Sequence, residues 1–312
     1  MSTAAADPRT DPERLAGPDA TLLHVALPKG RMHDGVVKLL GEAGISVRVS
    51  ARGYRPVLSI PAAEAKILKP QNVIEMLAEG TRDVGFAGAD WVQELGVQDR
   101  VVELLDTELD PVRIVLAAPD ELVAEDATLS GPMPHGGQLR IATEYVALTR
   151  GWVADRGLQA TVVRSFGATE VFPPEDADAI VDNTATGSTL RANGLEIVGE
   201  VMRSSTRLYA SRSAWEDTGK RARLEELVLL VRSVVEARKR VMLTLNVSRD
   251  GLASVLGFLP CMRQPTVAEL SAGEGYSVQV AVMRKELTDL IPRIKAAGGT
   301  DVIVQPVAQI VP

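Results

Sequence analysis

The segment from Ala177 to Leu195, ADAIVDNTATGSTLRANGL, holds the side chains of this chain best suited to chemistry. Ile180 and Val181 read as the end of a buried strand, with Asp182 at its carboxyl edge. Thr184, Thr186, Gly187, Ser188 and Thr189 follow, a loop whose hydroxyls and backbone N–H groups can converge on one anion. A helix starting near Thr189 would turn its positive dipole end toward the same point. A plain Ser/Thr-rich turn with an ordinary N-cap uses the same residue types. Asp182 tilts the balance, because a carboxylate beside an anion cradle is unfavourable unless the ligand also carries hydroxyls or a metal. A sugar phosphate meets that condition.

Other candidates are cationic or acidic. Lys29 and Arg31 sit in the turn LPKGR, at the carboxyl edge of a strand where α/β folds bind ligands, and Gly30 allows that turn a close approach. A solvated Lys-Gly-Arg turn is the bland alternative. Lys69, just before a proline, is a weaker third cation. Glu170, in GATEVFP, is a second acid able to face a cleft, or else an exposed helical glutamate. Gly88-Ala89-Asp90 closes another strand, and there Asp90 can cap the following helix while still lining a cleft.

These residues need elements to bring them together. From Leu22 onward short β-branched runs alternate with amphipathic segments, the pattern of α/β layers. LLHVAL, VLSI, AKIL, DVGFAGAD and VRIVLAAP read as strands, and Met32–Ala43 as a helix that Gly44 closes. QNVIEMLAEG is a helix, and a further helix starts at Trp91. After the Pro/Gly-rich stretch Ser130–Gly137, a second unit follows with RIAT and TVVR as strands flanking a helix from Tyr145 to Asp155. Arg221–Arg240 is a long helix with an apolar stripe. Beyond it, VMLTLNV, SRDGLASVLGFL, PTVAEL, YSVQVAVM, a helix from Lys285 to Ala297 and DVIVQPV spell βαββαβ, the ferredoxin-like order.

Composition narrows the class. A chain of 312 residues suits two or three domains, and 46% hydrophobic residues supply ample core. The net charge of −7 argues against nucleic-acid binding, which demands clustered Lys and Arg. The single Cys261 excludes an internal disulfide, and the three histidines, His24, His33 and His135, lack metal-ligand spacing. No GxxxxGK[ST] motif is present, so a nucleotide would not be cleaved at a P-loop. Residues 1–21 lack a signal-peptide core and read as a disordered tail, and no apolar span is long enough for a membrane, so a cytoplasmic, soluble protein is expected.

The loop resembles the phosphoribosyl diphosphate (PRPP) motif of phosphoribosyltransferases. Its surroundings, GATEVFPPEDADAIVD and RANGL, together with LPKGR, LKPQNVIEMLAEGTRDVGFAGADW, LRIATEY and MRQPTVAEL in that order, are similar to ATP phosphoribosyltransferase over nearly everything after residue 21. The resemblance implies an α/β fold, with a two-lobed periplasmic-binding-protein-like (type II) catalytic core and a C-terminal ferredoxin-like βαββαβ domain. Lobe I would comprise 22–117 and 205–236, lobe II 118–204, and the regulatory domain 237–312. The implied reaction joins N1 of ATP to C1 of PRPP with release of diphosphate and inversion, entering histidine biosynthesis. Implied partners are ATP, PRPP, histidine as feedback inhibitor and further copies of the chain in dimers and hexamers, with Mg²⁺ accompanying PRPP. Arg52 or Arg55 in SARGYRP matches a cationic position of the family; the spacing leaves both open, and Arg52 is the choice. Lys29, Arg31, Arg52 and Asp182 are the expected catalytic groups. Gly30, Gly88, Asp90, Tyr145, Glu170 and the cradle residues would bind substrate, and Asp182 with Glu170 would face the metal. Tyr145 would stack on adenine or sugar, or simply be the first buried aromatic of its helix. A non-catalytic two-lobed binding protein, a transferase acting on another base and an inactive allosteric subunit are the rival readings.

Overall fold

The computed structural model describes residues 21–49, 53–124, 129, 138–260, 262, 264–271 and 273–311. Arg52, Cys261, the Ser130–Gly137 stretch and, Thr21 aside, the expected N-terminal tail lie outside the described residues. The chain groups into two compact units, one holding the described residues up to Lys38 with Ile45–Glu225, the other Leu39–Gly44 with the residues from Glu226 onward.

The first unit is built on one eight-stranded sheet. Its strands are β1 (Leu23–Pro28), β4 (Ala63–Leu68), β5 (Val84–Gly88), β6 (Val101–Pro119), β7 (Leu139–Thr143), β8 (Ala160–Arg164), β9 (Ala179–Thr184) and β10 (Leu195–Ser211), in the order β4-β1-β5-β10-β6-β9-β7-β8. A separate ribbon pairs β2 (Val47–Arg48) with β3 (Val57–Leu58), so only the first half of VLSI is strand. Helices α1 (Arg31–Glu42), α2 (Pro70–Ala78), α3 (Ala89–Leu95), α4 (Val146–Asp155), α5 (Ser188–Ala192) and α6 (Arg212–Glu216) connect the strands. All five residues of β5 are buried, as expected for a strand covered on both faces.

Sequence periodicity does not reveal the length of β6 and β10. VRIVLAAP is only the end of a 19-residue strand, and β10 runs 17 residues alongside it. The carboxyl half of β10 pairs with β5, whereas the carboxyl half of β6 pairs with β9. Two half-sheets, β4-β1-β5 and β9-β7-β8, are thereby joined by one antiparallel ribbon. In its middle the ribbon loses register around Ser204–Arg207, opposite Glu108 and Asp110 at φ values of 58° and 47°. Bulges of this kind turn side chains out of the pleat and are common beside binding sites. Left-handed backbone at residues other than glycine stores strain that the surroundings must hold. Here the Thr107 hydroxyl donates to the Thr206 carbonyl at 2.5 Å, the Thr206 hydroxyl to Asp110 at 3.2 Å and the Ser205 hydroxyl to Asp106 at 2.8 Å.

In the second unit, helix α7 (Thr218–Lys239), whose carboxyl part belongs here, precedes β11 (Arg240–Val247), α8 (Leu252–Leu256), β12 (Thr266–Glu269), β13 (Tyr276–Met283), α9 (Leu287–Ala296) and β14 (Thr300–Pro306). The antiparallel sheet order β12-β13-β11-β14 is the ferredoxin-like arrangement. Along β11 every second residue, Val241, Leu243, Leu245 and Val247, points into a core shared with Val255, Leu290 and Ile294.

Candidate active site

A cavity of about 280 Å³ opens where the carboxyl ends of β1 and β5 meet the bulged middle of the ribbon, close to the lower size for a small-molecule pocket. Lys29 and Arg31 reach it from the turn after β1, Gly88 and Asp90 from the junction of β5 and α3, and Tyr145 from the start of α4. Five of the sequence-derived candidates therefore line one cavity. Gly30 has a φ of 82°, which lets the β1–α1 turn bring both cations to the same mouth. Lys29 Nζ lies 5.3 Å from the Tyr54 ring centroid and 3.4 Å from its hydroxyl. Arg55 is exposed and Lys69 is exposed at the N-cap of α2, while Pro70 and Gln71 beside it line the cavity.

Asp90 does not cap its helix: Gly88 occupies the N-cap and Asp90 lies inside α3. Its carboxylate is buried and accepts from the Ser204 hydroxyl at 2.5 Å and the Tyr145 hydroxyl at 2.9 Å. Burial, with the Asp90 carboxylate beside it, pushes the Tyr145 hydroxyl far above its ordinary range, which keeps it a donor. Tyr145 is the buried aromatic at the start of its helix, as one sequence reading has it, and it also forms a cavity wall, with its ring 5.0 Å from that of Trp91. Tyr145→Phe leaves a buried carboxylate short of one donor. A loss of about 1–3 kcal/mol in unfolding free energy is expected, measured by denaturant titration.

Asp182 lies two residues before the end of β9, not at its edge, because pairing with β6 continues to Thr184. Its Oδ1 accepts from the Asn183 N–H at 2.6 Å and the Asn183 side-chain amide at 3.2 Å. The same amide donates to the Tyr145 hydroxyl at 3.2 Å, and Asn183 lines the cavity. Burial raises the Asp182 pKa to about 6; the Asn183 N–H opposes this, and the carboxylates of Glu170 and Glu144 add to it. Among the described residues no group of three or more His, Cys, Asp or Glu could hold a metal by itself. Asp182 and Glu170 are hard oxygen donors of the type Mg²⁺ takes one or two at a time, with substrate oxygens completing its shell.

The cradle is a tight turn. The Gly187 N–H donates to the buried Thr184 hydroxyl at 2.8 Å, and the Thr186 hydroxyl donates to Ser188 at 3.0 Å. Helix α5 starts at Ser188, one residue earlier than the pattern suggests, with Gly187 at its N-cap in left-handed conformation. Thr186, Ser188 and Thr189 are exposed. Sequence reasoning missed Glu144, Asp110, Asn183 and Ser204–Thr206, all of which line the cavity. Glu144 was adjacent to the singled-out Tyr145, but nothing in the sequence signals a bulged ribbon that aims Asp110 and Ser204–Thr206 inward.

Fold and site together define a two-lobed α/β core of periplasmic-binding-protein-like type II architecture with a polar cleft lined by both cations and carboxylates, joined in sequence to a ferredoxin-like domain. The family model for ATP phosphoribosyltransferase matches residues 69–233, and that for the HisG C-terminal domain matches 237–309. An ATP phosphoribosyltransferase from Pelotomaculum thermopropionicum is 36% identical over 295 residues, covering 93% of this chain and 99% of the relative. One from Desulforudis audaxviator is 38% identical with the same coverage. Among solved structures, the ATP phosphoribosyl transferase (HisG:HisZ) complex from Thermotoga maritima is similar with a TM-score of 0.58 and 25% identity, over 69% of this chain and 99% of that one. The chain belongs to the ATP phosphoribosyltransferase family, in its long form with a C-terminal domain. It transfers the phosphoribosyl group of PRPP to ATP, the first step of histidine biosynthesis. Among the described residues no helix is long and apolar enough to cross a membrane.

Proposed function

We propose that the cavity between the half-sheets is where ATP meets PRPP, with the roles divided among the residues above. The observation carrying this reading is the convergence on one cavity of two cations, Lys29 and Arg31, with Asp90, Tyr145 and the Asn183 that holds Asp182. Leaving of diphosphate from C1 generates a cationic, oxocarbenium-like sugar, and the adenine N1 attacks from the opposite face with inversion. No protein nucleophile is required; positioning and charge complementarity supply the rate. The Thr184–Thr189 turn holds the 5′-phosphate, Lys29 and Arg31, joined by Arg52, draw off the diphosphate charge, and Asp182 orients the ribose hydroxyls. Tyr145 and Trp91 offer aromatic surface to the adenine. Glu170 and Asp182 would hold Mg²⁺, which when bound neutralises diphosphate charge.

The lobes divide at 117/118 and 204/205, so the β6/β10 ribbon is the connection about which they adjust. Residues 237–312 form the regulatory domain, binding histidine as feedback inhibitor. Ile303 and Val304 on edge strand β14 stay exposed, the type of edge that pairs with another copy, in keeping with dimers and hexamers. A cytoplasmic location accompanies use of ATP and PRPP. Incubation of the full chain with ATP, PRPP and Mg²⁺, followed by diphosphate release and the ultraviolet absorbance of N1-substituted adenine, tests the assignment. Product that falls on addition of histidine is expected; product insensitive to histidine would remove the inhibitor assignment.

A further inference from the structure

The start of helix α4 is capped by a residue from the other half-sheet. Tyr145, its own N-cap, makes no side-chain capping hydrogen bond to the helix. Instead the Glu94 carboxylate, on α3, accepts from the Ala147 N–H at 2.9 and 3.1 Å and from the Leu148 N–H at 3.0 Å. These are the second and third N–H groups of α4, the ones a capping side chain normally satisfies. Glu94 is 8% exposed, and the contacts made by its carboxylate are to backbone N–H groups at the positive end of a helix. Asp90 stands one turn earlier on the same face of α3 and accepts from the Tyr145 hydroxyl. Helix α3 leaves β5 on one side of the ribbon, and α4 leaves β7 on the other. Two carboxylates spaced by one helical turn thus grip the first turn of a helix across the ribbon. Asp90 lines the cavity, whereas Glu94 stands outside its lining.

We propose that Glu94 is a positioning residue for the transfer reaction: its cap on α4 holds the Glu144–Tyr145 wall of the cleft in register with Asp90 and Trp91. This rests on reading the cleft as the ATP site. Without the cap, the start of α4 frays, and the cleft wall is in place for only a fraction of the time, which weakens apparent affinity by that fraction. Chemistry, once substrates are bound, is unaffected because Glu94 touches none of the reacting groups.

The test uses the full chain and compares Glu94→Ala and Glu94→Gln with Val153→Ala, a core truncation farther along α4 that leaves the cap intact. Glu94→Ala is expected to raise KM for ATP roughly tenfold, the scale of one capping interaction, with kcat changed less than threefold. Glu94→Gln keeps an acceptor oxygen without the charge and should recover part of the loss. Val153→Ala should lose thermal stability but keep the KM of the parent. A parental KM in the Glu94 variants overturns the proposal, as does an equal rise in Val153→Ala, which would reduce Glu94 to a stability role. If Glu94→Ala does not fold, the Gln variant decides, and an unchanged KM there is negative. Failure of the cleft assignment looks different: ATP affinity would then be indifferent to Tyr145→Phe as well.

Discussion

Replacing Asp182 by asparagine will cut turnover by roughly 100-fold or more, the scale for removing one preorganised charged contact to a transition state. The variant keeps the shape and loses the negative charge that we propose orients ribose hydroxyls and metal. The same change should stabilise the ligand-free protein. Burial, reinforced by Glu170 and Glu144, holds the folded-state pKa at about 6 against an ordinary 3.8. A carboxyl whose pKa is raised by folding binds its proton more tightly in the native state, so stability falls as pH rises from about 4 through 6 and stays lowered above. Asparagine removes that penalty. In EDTA, the variant should exceed the parent by on the order of 1–3 kcal/mol at pH 7.5, with the gap closing toward pH 4. Denaturant titrations at the two pH values check the sign, and steady-state assays check the turnover. Near-normal turnover would take Asp182 out of the site; equal stability at both pH values would mean that its burial carries no penalty.

Gly187→Val should abolish measurable PRPP binding, a loss of at least about 100-fold by calorimetry if an oxyanion-type contact of this strength is removed. Two independent reasons act at this position. Its φ of 76° is a left-handed conformation that a β-branched residue enters only with strain. A Cβ there would also meet Arg191 Nη1 at 3.0 Å and Ile197 Cδ1 at 3.5 Å. Arg191 is tied to the loop through its Nη2 donation to the Thr186 carbonyl at 3.2 Å, so displacing it loosens the turn as well as crowding it. Gly187→Ala isolates the backbone contribution and should be intermediate. The cradle is a surface turn, so far-ultraviolet circular dichroism should match the parent. Unchanged PRPP affinity in a folded Gly187→Val protein would refute the cradle.

Residue type and local spacing carry whatever depends on neighbours in sequence. The βαββαβ order, the helix closed near Gly44 and the turn between β9 and the next helix were legible, because hydrophobic period and glycine placement are set within a few residues; the left-handed N-cap at Gly187 was not read. Lys29 and Arg31 could be placed at a strand's carboxyl edge for the same reason. Asp90 shows where that reasoning stops: an acid at the start of a helix reads as its cap, yet this one serves Tyr145 and Ser204, 55 and 114 residues away. Glu94 likewise reads as one more polar residue of a short helix, although its partner is a helix start 53 residues on.

The sequence by itself determined the layers, the Ser/Thr/Gly turn after β9 and the family to which the chain belongs, because these rest on local propensity and motif order. Tertiary structure alone decided that β6 and β10 form one ribbon through both half-sheets, that its bulge turns Asp110 and Ser204–Thr206 into the cavity, and that Asp182 is half-buried within electrostatic reach of Glu170 and Glu144. Register, burial and electrostatic environment are sums over residues distant in sequence, and no local pattern encodes them.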